Sequence, residues 1–220
     1  MERTFRDRAN AGRQLAERLN NYANRDDVIV LALPRGGVPV GYEVAKRLHV
    51  PLDVFVVRKL GVPGYEELAL GAIASGGVRV LNQDVVRILP DADQIVEAVT
   101  ANELMEMERR ERAYRDDRPP LDMRARTVVL IDDGLATGAT MHAAVQALRE
   151  QEPAKIVVAV PVCAPETCRE IQKVADETVW LFAPEWFHGV GQFYDDFSQT
   201  SDDEVRRLLA EAAREQRSDL

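Results

Sequence analysis

The sequence predicts an α/β fold, a parallel, twisted sheet flanked by helices, and three observations carry that prediction. Apolar runs at residues 28–33, 52–57, 126–131, 155–160 and 178–182 have the length of strands buried on both sides. Between them, apolar residues recur at helical spacing, so strands alternate with helices as in a sheet covered on both faces. Three junctions at carboxyl ends of strands, where such sheets hold ligands, carry chemistry-capable residues: Pro34 to Gly37, Arg58-Lys59, and Asp132 to Thr140. The 220 residues, 46% hydrophobic and 30% charged, are ordinary globular composition, and at about 150 residues per domain they suit one domain over 1–220.

In chain order, Thr4 is placed to cap a helix with Phe5, Ala9, Gly12, Ala16 and Leu19 on one face. The run 28–33 is the first strand, and Pro34-Arg35-Gly36-Gly37 breaks it. Val40, Val44 and Leu48 follow at helical spacing, up to Pro51. Residues 52–57 read as the second strand. Gly61, Pro63 and Gly64 mark residues 60–68 as a mobile loop, with Glu66 and Glu67 facing solvent. Residues 69–74 and 78–81 form a hairpin around Gly76-Gly77. A long charged helix from about Ala92 to Tyr114 pairs Glu106 with Arg110 and Glu108 with Arg112, as a solvated face or subunit contact. Strand 126–131 leads to a helix marked by Met141, Val145 and Leu148. Strand 155–160, a helix after Pro165 and strand 178–182 follow. Ser201-Asp202-Asp203-Glu204 is a capping box for a last helix through Leu208 and Leu209.

Charge and targeting signals exclude several functions. Lys and Arg number 28 against 37 Asp and Glu, a net charge of −9, which repels nucleic-acid backbones and anionic lipid. No apolar run nears the roughly 20 residues that span a bilayer. The stretch Met1-Glu2-Arg3-Thr4-Phe5-Arg6-Asp7 is charged where a signal peptide is apolar. Cys163 and Cys168 are too few for a disulfide scaffold and lack the partners of a zinc finger. The expectation is a cytoplasmic protein in a reducing compartment, binding neither nucleic acid nor membrane.

The strongest chemical signal is residues 128–140, a buried strand ending in Asp132-Asp133, then a loop of small residues that opens a helix. Small residues let backbone amides close around an anion, and the helix N-terminus adds positive partial charge. Thr137 and Thr140 can donate hydroxyl bonds to the same anion. The carboxylates would repel that phosphate and are better placed to accept from sugar hydroxyls. The expected ligand is a ribose 5-phosphate group held at both ends. A Walker loop and a G-x-G-x-x-G fingerprint are both absent.

These residues resemble the type I phosphoribosyltransferases, whose signature is a hydrophobic strand, two acidic residues and a loop closing in Thr-Gly-x-Thr. The resemblance extends over roughly residues 4–200 and is nearest to a bacterial and archaeal subgroup of predicted phosphoribosyltransferases. That subgroup has segments like Pro34-Arg35-Gly36-Gly37, Arg58-Lys59-Leu60-Gly61 and Val190-Gly191-Gln192-Phe193-Tyr194. It implies a core over about 4–182, with a small hood and final helix over about 183–216. It implies that Asp132 and Asp133 bind the ribose hydroxyls of phosphoribosyl pyrophosphate. Gly134, Leu135, Ala136, Thr137, Gly138, Ala139 and Thr140 would hold the 5-phosphate. Pro34, Arg35, Gly36 and Gly37, with an often cis peptide, would face the pyrophosphate, joined by Arg58 and Lys59. Arg35, Lys59 and Asp133 would be catalytic, and Mg²⁺ would be held through substrate and water without direct protein ligands.

The resemblance implies a homodimer that transfers ribose 5-phosphate to a nitrogenous, nucleobase-like acceptor. Ala136 stands where hypoxanthine-guanine enzymes carry an aspartate general base, which weighs against a 6-oxopurine acceptor. The hood aromatics from Trp186 to Phe197 would stack on a base or simply cover the core. His188 is expected in the hood or on the surface rather than as a catalyst. A non-catalytic regulatory protein that binds phosphoribosyl pyrophosphate stays open as the alternative.

Overall fold

The computed structural model describes residues 4–115 and 118–218. Met1 to Arg3 and the side chains of Glu66 and Glu67, which figure in the sequence expectations, lie outside the described part. Five parallel strands form the central sheet in the order β2-β1-β6-β7-β8. They are β1 Val28–Ala32, β2 Leu52–Val54, β6 Thr127–Ile131, β7 Lys155–Val162 and β8 Glu177–Phe182. Every residue of β1, β2 and β6 is buried, as uninterrupted apolar runs require in a sheet covered on both sides. Helices α1 (Arg8–Arg18), α2 (Gly37–Leu48), α5 (Ala139–Arg149), α6 (Pro165–Ile171) and α7 (Asp202–Ser218) surround it. Ser201 caps α7, its hydroxyl accepting from the Glu204 amide at 3.1 Å as the capping box predicts.

Three sequence expectations need correction. Asp7, not Thr4, caps α1, accepting from the Asn10 amide at 2.6 Å. Phe5 therefore precedes the helix. It bridges to Tyr194 and packs on Phe182 and Tyr194 with ring centroids 5.3 Å apart, so aromatic burial outweighs helix periodicity there. The second strand ends at Val54. Phe55 still donates to Ala32 at 3.0 Å, but Val56 then exchanges bonds with Ser75, whose amide donates to Val56 and whose hydroxyl accepts from it. The chain thus passes into a second, antiparallel sheet of β3 (Val57–Val62), β4 (Tyr65–Ala74) and β5 (Val78–Leu81).

The expected loop 60–68 is consequently a hairpin. Register shifts flank Gly61, so a bulge absorbs that glycine, and Pro63-Gly64 makes the tight turn. After it come the short α3 (Gln83–Val86), capped by Asn82, and the long α4 (Ala92–Arg115). Val96, Met107 and Tyr114 are buried on α4, while Glu106–Arg110 and Glu108–Arg112 pair on its surface as the spacing predicts. Arg115 binds Asp53 of β2 at 3.0 Å with both side chains almost wholly buried, pinning α4 to the sheet's edge.

Candidate functional site

Neighbouring parallel strands β1 and β6 end level with each other, Ala32 opposite Ile131. This puts Pro34 to Gly37 directly beside Asp132 and Asp133. The Pro34–Arg35 peptide is cis. The two glycines after it are there for space. A Cβ on Gly36 would stand 2.1 Å from Asp133 Oδ2, and one on Gly37 would stand 2.7 Å from the Ile131 carbonyl oxygen.

The acid pair is held from several sides. The Asp133 amide donates to Asp132 Oδ1 at 2.8 Å. Arg8 Nε donates to Asp133 Oδ2 at 2.8 Å, and its Nη1 to the Ser198 carbonyl at 2.7 Å. The Arg8 guanidinium lies 4.0 Å over the Phe197 ring, which packs against Tyr194. The Tyr194 hydroxyl donates to the Asp133 carbonyl at 2.6 Å. Burial, and then the charge of Asp133, pushes the Asp132 carboxyl well above the ordinary carboxylate range. Burial also raises Asp133, against the opposing pull of Arg8. Asp132 and Asp133 each accept one hydrogen bond from the protein, in a site only partly open to water.

The loop after them is anchored on its inner side and open on its outer side. Leu135 donates to Val162 and accepts from Ala164, both at 2.9 Å, and the Thr167 hydroxyl bonds the Ala136 carbonyl. Gly138 starts α5 at φ 69°, a left-handed conformation that glycine adopts without penalty. No side chain caps α5, so its first amides point outward, while Ala136, Thr137, Ala139 and Thr140 are exposed or half-buried. Cys163, bridged to Leu135, lies beside Cys168 of α6, so the two cysteine side chains pack together behind this loop.

The cations divide. Lys59 makes no ion pair among the described residues and lines a cleft of about 620 Å³ together with Ala139 and His142. Arg58, its neighbour on β3, points to the opposite face, as successive strand residues must, and binds Glu103 of α4 at 2.6 Å. It is not brought to the loop. Arg35 stands 3.8 Å from Asp202, which also accepts from the Tyr114 hydroxyl.

In the segment expected to form a hood, Phe187 packs on Phe193 and Phe193 on Phe182, so these rings cover the core. Trp186 is 74% exposed, and His188 is exposed, its amide donating to Gln192. Sequence reasoning missed Arg8, whose position carries no motif. Tyr194 lay in a segment singled out by resemblance, without a role.

Residues 5–198 match the family model of the phosphoribosyl transferase domain. The chain belongs to that family. It is 49% identical over 211 residues to "Putative phosphoribosyl transferase Rv0571c" of Mycobacterium tuberculosis H37Rv. The same figures hold for "Putative phosphoribosyl transferase MT0597" of strain CDC 1551. The match covers 96% of this chain and 47% of each relative, so the chain spans about half the length of these curated relatives. Among solved structures, TT1426 from Thermus thermophilus superposes with a TM-score of 0.85 at 42% identity, covering 94% of this chain and 98% of that one. Among the described residues, no helix of this phosphoribosyl transferase domain is long and apolar enough to cross a membrane.

Proposed function

We propose that the domain transfers ribose 5-phosphate from phosphoribosyl pyrophosphate to a nitrogenous, nucleobase-like acceptor. The observation that carries this reading is the juxtaposition at β1 and β6: a carboxylate pair, an open helix N-terminus after it, and a glycine turn beside it. In this reading Asp132 and Asp133 accept from the two ribose hydroxyls. The α5 amides with Thr137 and Thr140 hold the 5-phosphate. The amides of Arg35 and Gly36 face the pyrophosphate, with the Arg35 and Lys59 side chains nearby, while the Gly37 amide closes the turn on the Leu33 carbonyl at 3.0 Å.

The bond from ribose C1 to the pyrophosphate oxygen breaks, and pyrophosphate leaves with the electron pair. The acceptor nitrogen forms the new bond to C1. Positive charge grows on the ribose ring and negative charge on the leaving group, which is where Lys59 and the loop amides act. Ala136 carries no base, so any proton the acceptor loses goes to pyrophosphate or water. Mg²⁺, when bound, would neutralise leaving-group charge, and Asp132 and Asp133 are the acid groups that would face it, through water or substrate.

A second reading has its own support. Arg58 is engaged with Glu103 and Arg35 lies near Asp202, so two of three candidate pyrophosphate cations face carboxylates. That favours a regulatory protein that binds phosphoribosyl pyrophosphate without turning it over. Incubation with phosphoribosyl pyrophosphate, Mg²⁺ and a panel of bases, with released pyrophosphate measured, decides between them. For the enzyme, one acceptor releases pyrophosphate, and Lys59→Ala slows turnover by roughly tenfold, about 1.4 kcal/mol, with binding within a few-fold. Tight binding with a silent panel would establish the regulator.

A further inference from the structure

This inference rests on the ribose reading of Asp132 and Asp133. Two vicinal hydroxyls need two acceptor oxygens in fixed orientation, and the acid pair offers four. One is taken inside the pair, where Asp132 Oδ1 accepts from the Asp133 amide at 2.8 Å. A second, Asp133 Oδ2, is taken by Arg8 Nε at 2.8 Å. Asp132 Oδ2 and Asp133 Oδ1 accept no hydrogen bond from the described residues, which leaves one oxygen on each carboxylate.

We propose that Arg8 is a positioning residue for the sugar, fixing the rotation of the Asp133 carboxylate so that its other oxygen meets a ribose hydroxyl. Arg8 is itself immobilised. Its side chain is only 12% exposed, its Nη1 reaches Ser198, and its plane rests on Phe197. Tyr194 fixes the backbone of Asp133 from the same hood segment. Gly36 leaves the room the pair needs, since a Cβ there would stand 2.1 Å from Asp133 Oδ2 and 3.4 Å from Arg8 Nε. A lysine would keep the charge but could not bond two acceptors and stack at once.

The test compares two ligands, inorganic phosphate and ribose 5-phosphate, titrated calorimetrically into the parent protein, Arg8→Ala and Arg8→Lys. Phosphate reports the α5 loop alone, and ribose 5-phosphate adds the sugar contacts. The parent should bind ribose 5-phosphate the more tightly. Arg8→Ala should lose at least tenfold of that advantage while its phosphate affinity stays within about threefold. Arg8→Lys should recover only part. An unchanged ratio in Arg8→Ala, or equal loss for both ligands, would overturn the role of Arg8 and leave the ribose reading standing. A parent without preference would remove the ribose reading itself, and this inference with it. If Arg8→Ala fails to fold, Arg8→Gln, which keeps bulk and a donor, carries the same expectation.

Discussion

Burial first, and the charge of Asp133 second, push the pKa of Asp132 well above the ordinary 3.8. The unfolded chain releases this proton near that ordinary value, whereas the folded chain keeps it to higher pH. Across that window the folded state binds more protons, so stability falls as pH rises, and the deficit is complete above the raised value. Asp132→Asn cannot ionise and should raise the melting temperature at pH 7.5, with the gain vanishing as pH falls toward about 4. Calorimetric scans across that range check it, and a variant no more stable at pH 7.5 would contradict it. Gly37 makes a second prediction. Its missing Cβ would meet backbone, the Ile131 oxygen at 2.7 Å and Asp132 Cα at 3.0 Å, which cannot swing aside. Gly37→Ala should cost about 1–3 kcal/mol in urea unfolding. The acid pair and the α5 loop were legible in the sequence because residues 128–140 are contiguous. Arg8 was not, because its contact with Asp133 spans 125 positions and no spacing rule reaches that far.

The elements show the same division. The strands of the central sheet announced themselves as unbroken apolar runs, and β1 and β6 are buried at every position. The hairpin of β3 and β4 did not, since Gly61, Pro63 and Gly64 read as breakers and only the pairing with β4 shows where a bulge takes Gly61 up. Long α4 was legible from its charge pairs, but not its attachment through Arg115. Asp53 accepts from Arg115 Nε at 3.0 and 3.1 Å, and Arg115 also donates to the Val54 carbonyl. Asp53→Ala leaves that guanidinium buried with Glu111 as its remaining acid, and should destabilise the fold by about 3 kcal/mol. The pair Glu106–Arg110 on the same helix is reached by water and screened, and Arg109 also bonds Glu106, so Arg110→Ala should barely move the urea midpoint.

For the molecule as a whole, the proposed ligand should act as a stabiliser. A ligand that binds only the folded state at about 100 times its Kd adds roughly 2.7 kcal/mol. At about 2–4 °C per kcal/mol for a chain of this size, ribose 5-phosphate should raise the melting temperature by roughly 5–10 °C. An unmoved transition at that concentration would count against the site. The contact of Arg8 with Ser198 joins positions 190 residues apart, and Phe5 meets Tyr194 in the same way. A ribosome releases Arg8 early and Ser198 late, which at about 5–20 residues per second means roughly 10–40 s between them. Through that interval the emerging chain gains its acid pair and the loop before α5 ahead of the segment that holds Arg8 in place. Chains cut short before residue 194 would also lack Tyr194, so on the proposed ribose reading the site would be completed only when translation has carried the chain through residue 198.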